Sequence, residues 1–130
     1  MEIREDRSCF VCGPENPGGL QARFVTDPAR RRSSCRLTIP AGFQGWREVV
    51  HGGVISALLD EAAIYACRRP GETVVTAELT VRFRKPVPVG REVAVSAEVL
   101  DDRRRVIRSR SRLEIKGIVH AEAEARIVRV

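Results

Sequence analysis

Residues 49–69 read VVHGGVISALLDEAAIYACRR, and this stretch decides the fold of the whole chain. Its apolar residues recur at helical spacing, which predicts a helix over about residues 52–69, stopped by the Pro-Gly pair that follows. A helix that is apolar on nearly all sides must be covered by the rest of the protein. Yet a histidine and two glycines open it, and two carboxylates, Asp60 and Glu61, lie in its middle.

Alternating apolar and polar residues predict strands on both sides of this helix. A hairpin is expected before the helix and three or four longer strands after it: 20–26, 33–39, 74–84, 91–100, 104–116 and 118–129. An antiparallel sheet with one apolar face must bury that face on another layer, and the helix is the only candidate. The sequence therefore predicts an α+β fold, in which a curved antiparallel sheet of about six strands wraps round one long central helix.

The length and composition of the chain predict one globular domain. It has 130 residues, 43% of them apolar and 31% charged, and no linker or repeat divides it, so 1–130 is expected to be a single domain. The charged start, MEIREDRS, is unlike a signal peptide, and no apolar run is long enough to span a membrane. We therefore expect a cytoplasmic protein that has no membrane partner.

A net charge of +6 raises nucleic acid, anionic lipid and phosphorylated ligands as partners without choosing among them. The predicted strand 104–116 carries the strongest basic signal, a row of four arginines: Arg104, Arg108, Arg110 and Arg112. The following strand offers Glu122 and Glu124 on a matching face, where cross-strand pairs neutralise charge. Because the chain also lacks an aromatic set for base stacking, we expect no nucleic-acid partner.

The four cysteines predict packed thiols and no metal site. Cys9 and Cys12 have the spacing of zinc ligands, but Cys35 lies in a predicted strand and Cys67 in the helix. No second pair closes the four-ligand arrangement that structural zinc requires. Without a secretory signal, disulfides are not expected either, so the thiols should lie reduced in a Gly/Pro-rich N-terminal turn.

One side of the predicted helix carries only small or polar residues. At 3.6 residues per turn this stripe contains Gly53, Ser56, Asp60, Ala63 and Cys67. The stripe leaves room for something other than a side chain, and Asp60 is its only charge. An ordinary structural role for such an acid is an ion pair with arginine or a place on the helix surface. Glu61 suits that role better, because its own stripe leads to Tyr65 and Arg68.

The two glycines at the helix start also have two interpretations. They permit a tight turn, or they let a ligand approach the unpaired N–H groups at the positive end of the helix. Such N–H groups stabilise a carbonyl oxygen that becomes negative during acyl transfer, and a nearby carboxylate can activate water. Gly52 and Asp60 together therefore predict hydrolysis of an ester or thioester without Ser, Cys, metal or any cofactor. His51 caps the helix in the plainer interpretation, and His120 lies on a charged strand face.

Residues 43–63, FQGWREVVHGGVISALLDEAA, resemble the signature of hotdog-fold acyl-CoA thioesterases of the phenylacetate-pathway and 4-hydroxybenzoyl-CoA thioesterase type. Residues 9–24, CFVCGPENPGGLQARF, resemble the start of many bacterial members. Residues 75–90, VTAELTVRFRKPVPVG, resemble the strand and turn that follow the helix. The likeness covers about residues 9–100, and its most specific part is HGG followed by Asp after six residues.

The resemblance implies a hotdog fold, assembly as a homodimer or a dimer of dimers, and hydrolysis of acyl-CoA to an acid and CoA. By position, Asp60 matches the catalytic carboxylate of the family. Gly52 matches the residue whose N–H polarises the thioester carbonyl, while His51 and Gly53 shape that turn.

Four further residues match substrate-binding positions by the same resemblance. Gln44 matches an amide near the acyl carbonyl, and Thr76 matches a hydroxyl that helps to hold the water in some members. Strand alternation, however, puts Thr76 on the face opposite Leu79. The basic Arg84 and Lys85 would lie near the pantetheine, since CoA phosphates favour such side chains.

Two other functions remain open at this point. A hotdog dehydratase or hydratase would need a histidine and a carboxylate acting on one acyl chain, and His51 looks structural. A non-catalytic acyl-CoA-binding protein would keep the glycines but would not need Asp60. In the hydrolase, Gly52 and Asp60 are eight positions apart, about 12 Å along a helix, which predicts two sites per dimer, each shared between chains.

Overall fold

The computed structural model describes residues 1–130 and confirms the predicted α+β architecture of a curved antiparallel sheet with one helix. A short 3₁₀ turn at Ala41–Phe43 precedes the helix. The elements are β1 (Val25–Asp27), β2 (Arg32–Thr38), α1 (Gly52–Cys67), β3 (Val74–Phe83), β4 (Glu92–Arg103), β5 (Val106–Ile115) and β6 (Ile118–Arg129).

The six strands form one sheet in the order β1-β2-β4-β5-β6-β3, and every neighbouring pair is antiparallel. Helix α1 contacts all six strands from one face. The chain turns sharply between β5 and β6, where Lys116 and Gly117 have φ angles of 50° and 78°. Two successive positive φ angles match the right-handed twist of a two-residue hairpin. After α1 the chain returns to the far edge, so β3 pairs only with β6.

The core lies between α1 and the inner face of the sheet. Leu58 and Leu59 are completely buried, as are Val93 and Val95 of β4 and Leu113 of β5. Burying a side chain of this size contributes about 1.5–3 kcal/mol, so the helix is held by packing and not by its intrinsic propensity.

The N-terminal hairpin is shorter than the sequence predicts, because β1 contains only Val25–Asp27. The preceding residues bond to the N-terminal loop instead of to β2. The N–H groups of Leu20 and Ala22 donate to the carbonyls of Phe10 and Val11, each at 2.8 Å. This pairing fixes the loop beside the sheet.

The helix also ends two residues earlier than predicted, at Cys67. Arg68 is the C-cap and has extended backbone angles, φ −71° and ψ 133°. Its N–H still closes the last turn on the carbonyl of Ile64 at 2.9 Å. Pro70 therefore follows a helix that has already stopped.

A β-bulge at Ala77 changes which residues of β3 face the helix. Thr76 pairs with Ile127, but the next pair is Glu78 with Arg126, so Ala77 is left unpaired. An extra residue in one strand reverses the alternation on either side of it. Thr76 consequently lies on the helix side together with Leu79, and the prediction that they face opposite ways is wrong.

A half-buried ion network closes the fold where α1 ends. Arg129 donates to both carboxylate oxygens of Asp102 at 2.7 Å, and Arg31 donates to Asp102 at 3.1 Å. Arg31 also reaches the carbonyl of Cys67 at 2.9 Å, so it satisfies a free group at the helix end. The hydrogen bond from Arg129 is the main reason why the pKa of Asp102 falls to about 2.

Replacing Asp102 with Asn is expected to lower the free energy of unfolding by about 2 kcal/mol near pH 7, because Arg31 and Arg129 lose the negative charge of their acceptor and an NH₂ group replaces one oxygen. The depressed pKa means that the carboxylate stabilises the fold fully above its ordinary value of 3.8. That stabilisation is lost as the pH falls towards 2. Denaturant titrations of both proteins should therefore differ at pH 7 and converge below about pH 2. A difference that stays constant with pH would contradict the network's role.

No helix is long and apolar enough to cross a membrane.

Candidate functional site

Asp60 lies half-buried in the middle of α1 and has no cationic partner. The hydroxyl of Thr76 donates to its Oδ1 at 2.5 Å, which the bulge in β3 makes possible. No arginine or lysine forms an ion pair with Asp60. Asp60 is therefore not part of a structural ion pair within the chain. Its second oxygen, Oδ2, accepts no hydrogen bond from the protein. The carboxylate is thus oriented by one neighbour and open to another ligand.

Replacing Thr76 with Val is expected to lower kcat about tenfold, the equivalent of about 1.4 kcal/mol, because Asp60 loses the group that orients it. Valine keeps the branched shape of threonine, so packing against β6 should be preserved. Steady-state kinetics of thioester hydrolysis measure the effect. Thr76→Ser restores the hydroxyl and should return kcat close to its original value; if Ser and Val behave alike, the hydrogen bond does not matter.

The start of α1 is closed by His51, as the capping interpretation predicts. The imidazole Nδ1 accepts from the N–H of Gly53 at 2.8 Å, and the carbonyl of His51 accepts from Val54 and Ile55. The N–H of Gly52 is different, because it donates to no group of the protein. A single free donor therefore remains at the positive end of the helix.

The two glycines are needed for different reasons. A Cβ atom on Gly53 would lie 3.0 Å from Nδ1 of His51, so any larger residue would push the capping ring away. A Cβ atom on Gly52 would lie 3.4 Å from Cζ of Phe83, which is an ordinary contact. Gly53 thus protects the cap, and Gly52 keeps the approach to its N–H open beside the ring of Phe83.

Gln44 lies next to this turn in an exposed loop. It forms an isolated bridge with Val50, directly before His51. Its amide oxygen accepts from the N–H of Glu48 at 3.1 Å, which closes the loop. The structure therefore places Gln44 beside the helix start, with its amide oxygen engaged and its NH₂ group unused.

Arg84 and Lys85 follow β3 directly after Phe83, and both are exposed. Arg84 is tied to Glu122 at 2.6 Å, and this pairing lowers the pKa of Glu122. Lys85 makes no ion pair. Of the two basic residues, Lys85 is the freer to meet an anionic ligand.

Gly52 and Asp60 are not brought together within one chain. They are separated by about 12 Å along α1, whereas a base and an oxyanion donor must each lie roughly 3 Å from the reacting atoms. Strand β3 runs beside α1 in the opposite direction. Thr76, near its start, contacts Asp60, and Phe83, at its end, lies next to Gly52. Both groups therefore lie along the same free edge of the sheet.

The small-residue stripe of α1 is open over only part of its length. Gly53, Ser56 and Asp60 are exposed or half-buried, but Ala63 and Cys67 are buried in a second core cluster. The space that the sequence predicts beside this stripe is thus confined to the N-terminal half of the helix.

A depression of about 490 Å³ lies on the outer face of the sheet, lined mainly by polar and charged residues of β1, β2, β4 and β5. Neither Asp60 nor Gly52 contributes to it. This polar depression is therefore not the apolar pocket that an acyl group would require.

Sequence reasoning missed two neighbours of the predicted residues. Phe83 has 55% of its surface exposed, and its ring adjoins Gly52. Glu61 was expected to be solvated or ion-paired, but it accepts a hydrogen bond from the thiol of Cys12 at 3.0 Å. Nothing in the local pattern signals either contact, because both join segments that are far apart in sequence.

Comparison with known proteins identifies a family. The profile of the Thioesterase superfamily matches residues 48–122, more than half of the chain. Acyl-coenzyme A thioesterase THEM4 of Xenopus laevis is 28% identical over 118 residues, which cover 86% of this chain. The match covers 51% of that relative, so the chain spans about half of its length.

Solved structures have the same fold. The thioesterase superfamily protein RHA08564 superposes with a TM-score of 0.86 and 25% identity, over 94% of this chain and 63% of its own. PaaI from the phenylacetic acid degradation operon of E. coli gives 0.78 and 20%, over 85% of this chain and 80% of its own. The resemblance seen in the sequence to hotdog-fold thioesterases is thereby confirmed.

Proposed function

Because this chain belongs to the thioesterase superfamily, we propose that it hydrolyses an acyl-CoA thioester to the free acid and CoA. The proposal depends on the environment of Asp60. This carboxylate forms no ion pair, is oriented by the hydroxyl of Thr76, and lies on the open part of the small-residue stripe of α1. The name of the similar THEM4 protein supports acyl-CoA as the substrate class.

The proposed reaction uses the two groups in one step each. Asp60 takes a proton from a water molecule as the oxygen of that water attacks the thioester carbonyl. The N–H of Gly52 donates to the carbonyl oxygen as that oxygen becomes negative. When the C–S bond breaks, the sulfur of CoA receives the proton from Asp60, and the acid is released. No covalent enzyme intermediate is involved.

The proposed site is shared between two copies of the chain. An unpaired edge strand is a template for pairing with a second chain, and β3 has ten residues with its outer edge free. If two β3 strands pair antiparallel about Leu79 and Thr80, Thr76 of one chain lies beside Phe83 of the other. Asp60 would then face the partner's Gly52, and each dimer of 1–130 domains would hold two sites.

A hydrolysis screen tests the proposal. Acyl-CoAs that differ in chain length and ring content are incubated with the protein, and free CoA thiol is measured. Turnover of at least one acyl-CoA, lost in Asp60→Asn, is expected. Tight acyl-CoA binding without turnover of any member would contradict the proposal and indicate a non-catalytic acyl-CoA-binding protein instead.

The rival hydratase or dehydratase chemistry is less well supported by the helix start. That chemistry needs a histidine available to the acyl chain, but Nδ1 of His51 is occupied by the N–H of Gly53. Only Nε2 of His51 is left for the acyl chain, and Asp60, the carboxylate that would act with it, lies more than two helical turns away in the same chain.

CoA binding is expected to weaken as salt concentration rises, because the phosphates would meet a basic surface through a screened interaction. The net charge of +6 and the exposed, unpaired Lys85 motivate this prediction. Titration of CoA at low and moderate salt measures it, with a DNA duplex of unrelated sequence as comparison. Tight duplex binding that survives moderate salt would favour a nucleic-acid partner and contradict the expectation.

A further inference from the structure

A second cluster of reactive side chains lies on a neighbouring face of α1, about 100° round the helix from Asp60. The ligand atoms of Cys9, Cys12 and Glu61 all fall within 4.8 Å of one another. Cys12 and Glu61 are 49 positions apart in sequence, and their side chains meet at 3.0 Å. The fold thus supplies a third group to a pair of cysteines that has zinc-ligand spacing.

The loop that carries the two cysteines is tightly built. The N–H of Val11 donates to Sγ of Cys9 at 3.4 Å. The N–H of Gly13 donates to the carbonyl of Cys9 at 2.8 Å. A Cβ atom on Gly13 would lie 2.4 Å from the backbone nitrogen of Cys9, so only glycine fits. These hydrogen bonds within the loop fix the conformation of the segment that carries both cysteines.

The surroundings of the cluster leave room for a cation and a water molecule. A cavity of about 310 Å³ is lined by all three residues and by the acidic Glu5 and Asp6. Arg68 also lines it, but its guanidinium is paired with Glu5 at 3.1 Å. Arg4 lines it too and is paired with Glu2 at 2.7 Å, so both positive charges that line the cavity have an acidic partner.

We propose that Cys9, Cys12 and Glu61 bind a divalent cation of the zinc type, with water as the fourth ligand. Two thiolates and one carboxylate are ligands that Zn²⁺ accepts in tetrahedral geometry, and three protein ligands plus water are a known arrangement for this ion. The hydrogen bond that Cys12 gives to Glu61 at 3.0 Å already holds two of the three ligand atoms together.

Binding exchanges protons for the metal. Burial and the contact with Glu61 raise the pKa of the Cys12 thiol to about 12, so this thiol is protonated near neutral pH. Each thiol that coordinates the cation exchanges its S–H bond for a metal–sulfur bond and gives its proton to solvent. The ion would join the N-terminal loop to α1 at Glu61, the residue after Asp60, and so hold that part of the helix in place.

The test titrates the reduced 130-residue chain with Co²⁺, whose bonds to thiolates give a charge-transfer absorption in the near ultraviolet. We expect a band that saturates at one ion per chain, and Zn²⁺ should displace it. Cys12→Ser and Glu61→Gln should each weaken Co²⁺ binding more than about 100-fold, because removing a ligand exceeds the usual loss for an outer partner. The matched control is Cys35→Ser, because Cys35 is a buried thiol of β2 outside the cluster. This variant should leave the band unchanged.

A second measurement needs no variant. Zn²⁺ should protect Cys9 and Cys12 of the unaltered protein from alkylation, as mapped by mass spectrometry of the digested chain. Absence of a thiolate band, a band that persists without Cys12, or equal alkylation with and without Zn²⁺ would each overturn the proposal. Thioester hydrolysis is not a readout here, so the result does not depend on the proposed function.

Discussion

Replacing Asp60 with Asn is expected to lower kcat by about 100-fold to 10,000-fold, the range for loss of a general base, while KM changes little. The amide has the shape of the carboxylate but cannot accept the proton of the attacking water. It can still accept a hydrogen bond from Thr76, so the local structure should be retained. Steady-state kinetics on the best acyl-CoA from the screen measure the effect.

Asp101→Asn is the matched control, because it makes the same atomic change at an aspartate that pairs with Arg108 on the sheet surface. It should leave kcat within about twofold, as surface substitutions usually do. If Asp60→Asn retains nearly full turnover and an unchanged circular dichroism spectrum, Asp60 is not the base.

Gly52→Pro is expected to lower kcat by about 100-fold to 1,000-fold, the usual result of removing one oxyanion donor. Proline deletes the N–H but suits this position, because Gly52 is the first residue of α1. His51 has φ −60° and ψ 135°, angles that a residue before proline readily adopts. The variant should therefore fold and fail only in catalysis.

Gly52→Ala separates the N–H from the lack of a side chain. Alanine keeps the donor, and its Cβ would make an ordinary 3.4 Å contact with the ring of Phe83. Its kcat should stay well above that of the proline variant. Equal losses in the two variants would mean that space at Gly52 matters and its N–H does not.

Much of the fold was predictable because local patterns determine it. The apolar run of α1 needs cover on most sides, and the alternation in β4 and β5 supplies it, with Val93, Val95 and Leu113 buried as predicted. The cap was also predictable, since HGG places an acceptor two residues before a free N–H. These features depend on residues that are close in the sequence, so the sequence pattern alone is enough to predict them.

Features that depend on distant segments were not predictable. A bulge at Ala77 turned Thr76 towards Asp60, and strict alternation gives the opposite face. The N-terminal loop took the hydrogen bonds of Leu20 and Ala22 that a longer β1 would have made with β2. Bulge positions and loop contacts follow from tertiary packing, on which a single strand pattern carries no information.

The same reason explains why the cysteine pair was interpreted as packing alone. Counting ligands along the sequence finds no partner for Cys9 and Cys12, because Glu61 comes from the middle of the helix. The partner becomes visible only when the loop lies against α1.

The proposed mechanism depends above all on a site shared between two chains. One chain places Asp60 and Gly52 at separate points along β3, and only antiparallel pairing of two such edges would bring the base of one chain to the donor of the other. Subunit complementation tests this directly. Asp60→Asn and Gly52→Pro are purified separately, each nearly inactive, then dissociated, mixed and reassembled.

A mixed dimer would hold one site with both native groups and one site with neither. Statistical mixing makes half of the dimers mixed, and half of their sites intact, so activity should return to about one quarter of that of the unaltered protein. Mass spectrometry under native conditions confirms that mixed dimers have formed. If verified mixed dimers stay as inactive as the two parents, Asp60 and Gly52 do not act together across an interface.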